Sequence, residues 1–270
     1  MNLLSHLRAG ARVLAASLLL SAALVRPAAA VDWTDIWWAF PEVGWGVNFV
    51  QSDQFIFATF YLHDANLQPD WYTGELKVDN ATGVWSGGLY RTTGSYFGAP
   101  WNGSQTNTVQ VGNVTFAPSS SIAGTLTYNV GAVAVTKQIT RLTLTTIPLS
   151  ALYRGGIASY IDSCNNPANN GVARLFVDMQ ALQTSGGALS LQFFLNGKDS
   201  GGGSCVLAGN AVQEGQLFRI PDASYTCAGV FAATANVTQI KATAQGIEGQ
   251  WAANVGDGCF ENGYFSAVLY

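Results

Sequence analysis

Short runs of β-branched and aromatic residues recur along the whole chain, separated by Gly, Asn, Asp and Ser. Such runs favour β-strands, and the separating residues favour turns. Helical periodicity, with apolar residues three and four positions apart, is almost absent. The pattern therefore predicts an all-β protein. In the first half it predicts strands at 45–51, 54–63, 70–78, 83–91, 107–117, 121–129 and 133–144.

The links between these strands are short, so each strand should pair antiparallel with the next. Seven or eight strands joined in this way fit a meander that closes into a small barrel. The second half has a similar strand count, at 151–162, 171–182, 187–196, 204–209, 212–220, 224–231, 236–252 (two strands with a turn near Gly246) and 258–269. We therefore predict two up-and-down antiparallel barrels in tandem, lipocalin-like or avidin-like, with β-sandwiches as the alternative.

Residues 145–150 separate the two halves and contain Pro148. A proline between two strand-rich segments is typical of a linker, so we place the domain boundary there. Residues 31–146 then form a Trp-rich barrel domain. Residues 150–270 form a second barrel domain that contains all the cysteines.

Residues 1–30 have the pattern of a secretory signal peptide. Arg8 and Arg12 precede an apolar run at 13–25, and small residues with an A-x-A pattern end at Ala30. We expect cleavage after Ala30 and export to the periplasm, the cell surface or the medium. The remaining chain keeps nine of the 12 basic residues and all 16 acidic ones, a net charge of −7. This charge argues against nucleic acid as a partner, and no stable membrane insertion is expected.

The four cysteines of an exported chain predict two disulfides. In an up-and-down barrel the first and last strands are antiparallel neighbours. Cys164 ends the first strand of the second half and Cys259 begins the last, so a Cys164–Cys259 bond would fasten the closure. Cys205 and Cys227 would then pair within the middle strands, although four cysteines allow three connectivities. The spacings lack C-x-x-C pairs, and we expect no metal and no cofactor.

Tryptophan is concentrated in the first half, where seven of the eight lie between Trp33 and Trp101. In one interpretation, segment 33–45 folds across a barrel end or wall as a plug and its rings belong to the core. In the other, some rings line a pocket or platform for a flat ligand. Both can hold, with Trp38 and Trp45 inside and Trp37 exposed. The candidate ligand-binding residues are Trp37, Trp38, Trp45, Asn48, Trp71 and Tyr72.

The predicted strand 54–63 is apolar on both faces. Phe55, Phe57 and Tyr61 point one way, whereas Ile56, Phe60 and Leu62 point the other. A barrel strand in water should alternate between apolar and polar residues. The pattern therefore predicts that the Trp-rich segment or the other domain covers the outer face of this strand.

Catalytic patterns are weak. Residues 199–202 (D-S-G-G) resemble the surroundings of a serine nucleophile, but that chemistry needs a histidine base, and His63 lies in the other domain. Three carboxylates, those of Glu42, Asp70 and Glu75, lie among tryptophans and make a glycan hydrolase a possible alternative. We expect a non-catalytic protein with no catalytic residues.

Several motifs of the first half resemble a domain found in many exported proteins of proteobacteria. They are W-W-x-x-P-E-x-G-W-G-x-N (37–48), F-A-T-F-Y-x-H-D (57–64), P-x-W-Y (69–72) and S-G-x-L-Y-R-T-T-G-x-x-F-G (86–98). Phe60 and His63 stand where that family has tryptophan and tyrosine. The resemblance implies export and a β domain, and it supplies no activity and no catalytic residues.

The leading functional hypothesis is an exported, non-catalytic protein that binds a small or flat ligand at the Trp-rich barrel or its rim. The ligand could be a sugar, an aromatic group or an apolar molecule. One alternative is a structural or interaction module at the bacterial cell surface. The other is a carboxylate-dependent glycan hydrolase.

Overall fold

A computed structural model describes residues 31–196, 202–228 and 231–270. These residues form seventeen β-strands and two short 3₁₀ turns, Gly103–Gln105 and Pro167–Asn169, with no α-helix among them. No helix in the described ranges is long and apolar enough to cross a membrane. The predicted signal peptide at 1–30 and residues 199–201 of the D-S-G-G stretch lie outside the described residues.

Eight strands in sequence order close into the first barrel, which confirms the predicted architecture for this half. Each strand pairs antiparallel with the next, and β1 pairs with β8 to close the ring. The strands are β1 (Asp35–Trp38), β2 (Gly46–Ser52), β3 (Phe55–His63), β4 (Pro69–Asp79), β5 (Val84–Thr93), β6 (Asn107–Ser120), β7 (Ala123–Val130) and β8 (Val133–Arg141).

Large apolar side chains fill the interior of barrel 1. Strand β3 shows the alternation that places them there, because every second residue points inward. An eight-stranded barrel is just wide enough for its side chains to fill. The largest fully buried residues of this core are Trp37, Phe49, Ile56, Phe60, Leu76, Leu89, Phe116, Leu126 and Ile139.

Barrel 2 also closes with eight strands, in agreement with the prediction. Strand β9 pairs with β17. Strand β14 pairs with β12 along residues 224–227 and with the short strand β13 along residues 217–219, and the β12–β14 pairing closes the ring. The strands are β9 (Ala151–Asp162), β10 (Gly171–Gln183), β11 (Ala188–Leu195), β12 (Ser204–Asn210), β13 (Val212–Glu214), β14 (Leu217–Cys227), β15 (Phe231–Ala242), β16 (Gly246–Gly256) and β17 (Cys259–Leu269).

Two disulfides cross-link barrel 2. Cys164 bonds to Cys259 beside the closure between β9 and β17, and Cys205 bonds to Cys227 across β12 and β14. This is the pairing that the closure argument favours. Such bonds persist in oxidising compartments, so they indicate a non-reducing, exported environment.

Two details of the predicted strand order are wrong. The segment that contains Trp37 and Trp38 is not a plug, because it forms wall strand β1 between β2 and β8. The predicted strands 212–220 and 224–231 are instead the short β13 and one long strand, β14. Pro221 suggested a break, but it is exposed and lies where the register between β14 and β15 shifts. An irregularity of this kind tolerates a proline inside a strand.

Specific polar contacts join the two barrels, which belong to one compact unit from Asp32 to Tyr270. Asp35 and Arg141 form a buried ion pair in barrel 1, with Oδ2 and Nη1 3.0 Å apart. The same Oδ2 atom accepts the backbone N–H of Gln216 from the β13–β14 turn. Gly215 in this turn has φ +64°, and a Cβ there would lie 2.3 Å from that oxygen. Lys241 Nζ adds a 2.6 Å ion pair to Asp32.

Candidate functional site

The six predicted ligand-binding residues fall in three different environments, and Trp37 and Tyr72 belong to the core. The Trp37 ring is fully buried against Phe49 and Phe116, and its Nε1–H donates to the Trp33 carbonyl oxygen at 3.1 Å. The expectation that Trp37 is exposed is therefore wrong. It arose because the strand character of β1 was missed, and inward and outward positions follow from that strand.

Tyr72 lies on the inward face of β4, opposite Phe60 on β3. Its ring is buried, and its hydroxyl donates to Asp70 Oδ2 at 2.8 Å. Burial, followed by this hydrogen bond, raises the pKa of the Tyr72 phenol. Arg91 also pairs with Asp70, at 3.3 Å. The Tyr72 ring is thus a core element whose hydroxyl group is already engaged.

Trp45 lies at the mouth of barrel 1, which we define as the end formed by loops 39–45, 64–68, 94–106 and 131–132. Its Nε1–H donates to the Tyr128 hydroxyl at 3.1 Å, and Lys137 Nζ lies 5.2 Å from its ring centroid. Lys137 also forms an ion pair with Glu42 in the same loop as Trp45. The loop is therefore fastened to β7 and β8 at the mouth.

Asn48, Trp71 and Trp38 point outward from the barrel. Trp38 is half-buried on the outer face of β1 and packs edge-on against Phe40, with ring centroids 5.6 Å apart. The expectation that Trp38 lies inside is therefore wrong, because it is next to the inward Trp37 on the same strand. Asn48 is on β2 opposite Thr59. Because the barrel interior holds Trp37 and Tyr72, the six residues do not form a single site.

Four exposed rings line the outer face of β3 and β4: Phe55, Phe57, Tyr61 and Trp71. We call this surface the aromatic wall. Tyr61 and Trp71 are direct cross-strand partners and are 54% and 48% exposed. The expectation that another part of the protein covers this face is therefore wrong. Rings left half exposed beside each other form an apolar surface of the kind that marks interaction sites.

Polar side chains alternate with the rings of the aromatic wall. Thr59 lies between Asn48 on β2 and Thr73 on β4, in the row next to the Tyr61–Trp71 pair. Phe57 pairs with Glu75 across β3 and β4. Lys77 Nζ lies 5.8 Å from the Phe55 ring centroid. The wall therefore offers flat apolar faces with hydrogen-bonding groups between them.

The candidate catalytic groups do not converge. Asp70 and Glu75 lie five residues apart on β4, so their side chains point to opposite faces of the sheet. Glu42 is paired with Lys137 at the mouth, and His63 is exposed at the end of β3. Within the part of the chain that the structure describes, no three His, Cys, Asp or Glu side chains group closely enough to hold a metal ion.

One polar cluster inside barrel 2 was not predicted from the sequence. Buried Glu261 accepts the Ser159 hydroxyl, and the Tyr225 hydroxyl lies 3.4 Å from the same Oε1. Burial, and then the Glu261 charge, raises the pKa of the Tyr225 phenol. The sequence of β17 contained the signal, because Glu261 lies two residues from Cys259 and four from Phe265 and therefore shares their inward face.

Comparison with known proteins adds no further constraint: no protein-family model, no curated protein and no solved structure matches this chain.

Proposed function

We propose that this protein is an exported, non-catalytic glycan-binding protein and that the sugar rings stack on the aromatic wall. The observation that carries the proposal is the exposed cross-strand pair of Tyr61 and Trp71. We place its action in the periplasm or at the cell surface.

The chemistry of a sugar ring matches this surface. One face of the ring carries C–H groups, which pack on an aromatic ring, and its edge carries hydroxyls that need hydrogen-bond partners. Asn48, Thr59, Thr73 and Glu75 supply such partners next to the aromatic rings. Phe55 and Tyr61 are six residues apart on one strand, which corresponds to about 20 Å. This length suits a chain of several sugar rings.

The position of the rings also favours binding. They project from two paired strands of a closed barrel, so the backbone does not have to become ordered when a ligand binds. Its own side chains fill the interior of barrel 1. A ligand of this size therefore has to bind on the outer surface. The wall lies outside the buried residues Trp37 and Tyr72, so it can be altered without opening the core.

A glycan array followed by calorimetry tests the proposal. Trp71→Ala should weaken binding of the selected oligosaccharide about tenfold to a hundredfold, the loss expected when one large ring no longer buries its face. The matched control is Phe176→Ala, which removes a half-exposed ring from β10 of barrel 2. Equal affinity of wild type and the Trp71 variant would rule out the aromatic wall as the site.

The packed interiors of both barrels support a second candidate, the structural or interaction module. In that case the array would show no binding above background. The hydrolase alternative stays a prediction, and the opposed directions of Asp70 and Glu75 give it no geometric support.

A further inference from the structure

The mouth of barrel 1 is a second surface, independent of the aromatic wall. Its four loops, 39–45, 64–68, 94–106 and 131–132, lie at the same end because consecutive strands run antiparallel. The other end of barrel 1 carries the buried pair Asp35 and Arg141 and meets barrel 2 through Gln216. The mouth is thus the end that lies away from the junction with barrel 2.

Apolar side chains stand exposed at the tips of three of these loops. Phe97 and Trp101 are 94% and 81% exposed. Phe40 and Val43 of loop 39–45, Leu67 of loop 64–68 and Tyr96 of loop 94–106 are exposed in the same way. Single exposed apolar residues are normal in proteins, but a set of them at one end marks a contact surface.

Loop 94–106 has an ordered backbone that presents its rings. The Ser95 hydroxyl donates to the Asn102 carbonyl oxygen and accepts the Asn102 backbone N–H, both at 3.0 Å. The Tyr96 ring lies over Gly98 and the Trp101 ring lies over Gly103, where an added Cβ would come within 2.6 Å of each ring. A thirteen-residue loop with this internal order and outward rings is typical of a functional loop.

The mouth loops carry almost no charge. Segment 94–106 has no charged residue, and segments 39–45 and 64–68 have one each, Glu42 and Asp64. Glu42 is neutralised by Lys137. The Asp64 carboxylate is turned back onto its own loop, where it accepts the backbone N–H groups of Asn66 and Gln68 at 2.8 Å each. The mouth therefore presents apolar side chains and has no strong electrostatic potential of either sign.

We propose that the mouth loops dock the protein onto the surface of a zwitterionic lipid bilayer. The apolar side chains stand on three separate loops, and a fluid bilayer can accommodate such a discontinuous set. Trp and Tyr are the residues that prefer the boundary between headgroups and acyl chains. The near absence of basic residues excludes attraction to anionic lipid as the driving force.

Vesicle co-sedimentation of the purified protein tests this docking. Wild type should bind phosphatidylcholine vesicles, and addition of phosphatidylglycerol or salt should change the bound fraction little. Phe97→Ser and Trp101→Ser should each lower the partition coefficient about tenfold, because each removes one ring from the contact. The control is Phe176→Ser, which removes an exposed ring from barrel 2 and should bind as wild type does. The melting temperatures of all variants report that they remain folded.

Three results would overturn the docking proposal. The first is no sedimentation of wild type with either vesicle type. The second is binding that needs anionic lipid, or that survives both loop substitutions. The third is self-association that both loop substitutions abolish, seen by sedimentation velocity without vesicles, because the mouth would then bind a second copy of the chain. Glycan binding should persist in the Phe97 and Trp101 variants, so the two proposals can fail separately.

Discussion

Substitution of Asp35 by asparagine should destabilise the protein strongly, although it changes no apolar residue. The side chains of Asp35 and Arg141 are 3% and 1% exposed, and their charged atoms lie 3.0 Å apart. Burial lowers the pKa of the Arg141 guanidinium, and the hydrogen bond that it donates to Asp35 and the negative charge of Asp35 oppose that change. An asparagine would keep the shape of the side chain but would leave a buried positive charge without its partner.

The expected cost of breaking this pair follows from its burial. Removal of one partner of a buried ion pair costs about 3–5 kcal/mol. For a protein of this size, each kcal/mol shifts the melting temperature by about 2–4 °C, so Asp35→Asn should melt roughly 6–20 °C below wild type. Urea unfolding followed by tryptophan fluorescence gives the free energy directly.

The matched control for this experiment is Asp178→Asn in barrel 2. Arg154 and Asp178 form an ion pair at 2.7 Å, but the side chains are 40% and 19% exposed. Such a pair is worth less than about 1 kcal/mol, so the control should melt close to wild type. If Asp35→Asn costs no more than the control, the Asp35–Arg141 pair does not hold the end of barrel 1 as described.

Two further predictions concern the disulfides and the ion pair of Asp32 with Lys241. Replacement of Cys164 and Cys259 by serine should lower the free energy of unfolding by about 5 kcal/mol, and replacement of Cys205 and Cys227 by about 3 kcal/mol. The difference arises because the first bond closes a loop of 95 residues and the second a loop of 22. Equal losses of free energy in urea unfolding would contradict this reasoning. Burial raises the pKa of Asp32, but the hydrogen bonds from Lys241 and Thr34 and the charge of Lys241 together outweigh it, so this pKa lies below its usual 3.8. Its contribution to stability is therefore full above pH 3.8 and is lost as the pH falls through the lowered value. Wild type should lose stability in this range more steeply than Asp32→Asn, as measured by unfolding at several pH values.

Strand alternation was enough to predict most of the architecture. Strand β9 has the bounds 151–162 that the sequence pattern indicates. Ile56 and Phe60 share one face of β3 as expected, and the structure shows that this face points inward. The Cys164–Cys259 bond also followed from the order of the strands, because a closed meander makes its first and last strands neighbours. These features depend on side-chain period and chain order, both of which the sequence contains.

The position of β1 could not be predicted in the same way. The strand has only four residues, and it is held by β8, about a hundred residues away in sequence, where Trp37 pairs with Arg141. Short strands of this kind are specified by distant pairing rather than by local propensity. The error propagated to Trp37, whose inward direction follows only when β1 is a strand.

The aromatic wall was missed for a related reason. A strand that is apolar on both faces predicts a covered outer face, and this rule fails at Phe57, Tyr61 and Trp71, which stay exposed. Sequence pattern gives the face on which a side chain lies but not what lies opposite that face. Places where a local rule of this kind fails are often functional, which is consistent with the proposed binding surface.

The structure of the protein with the oligosaccharide that binds it most tightly on the array tests the central claim most directly. Our account predicts a sugar ring packed flat on Trp71 or Tyr61, with its hydroxyls bonded to side chains of neighbouring strands such as Asn48, Thr59 or Thr73. A sugar bound inside a barrel, at the mouth loops or on barrel 2 would contradict it.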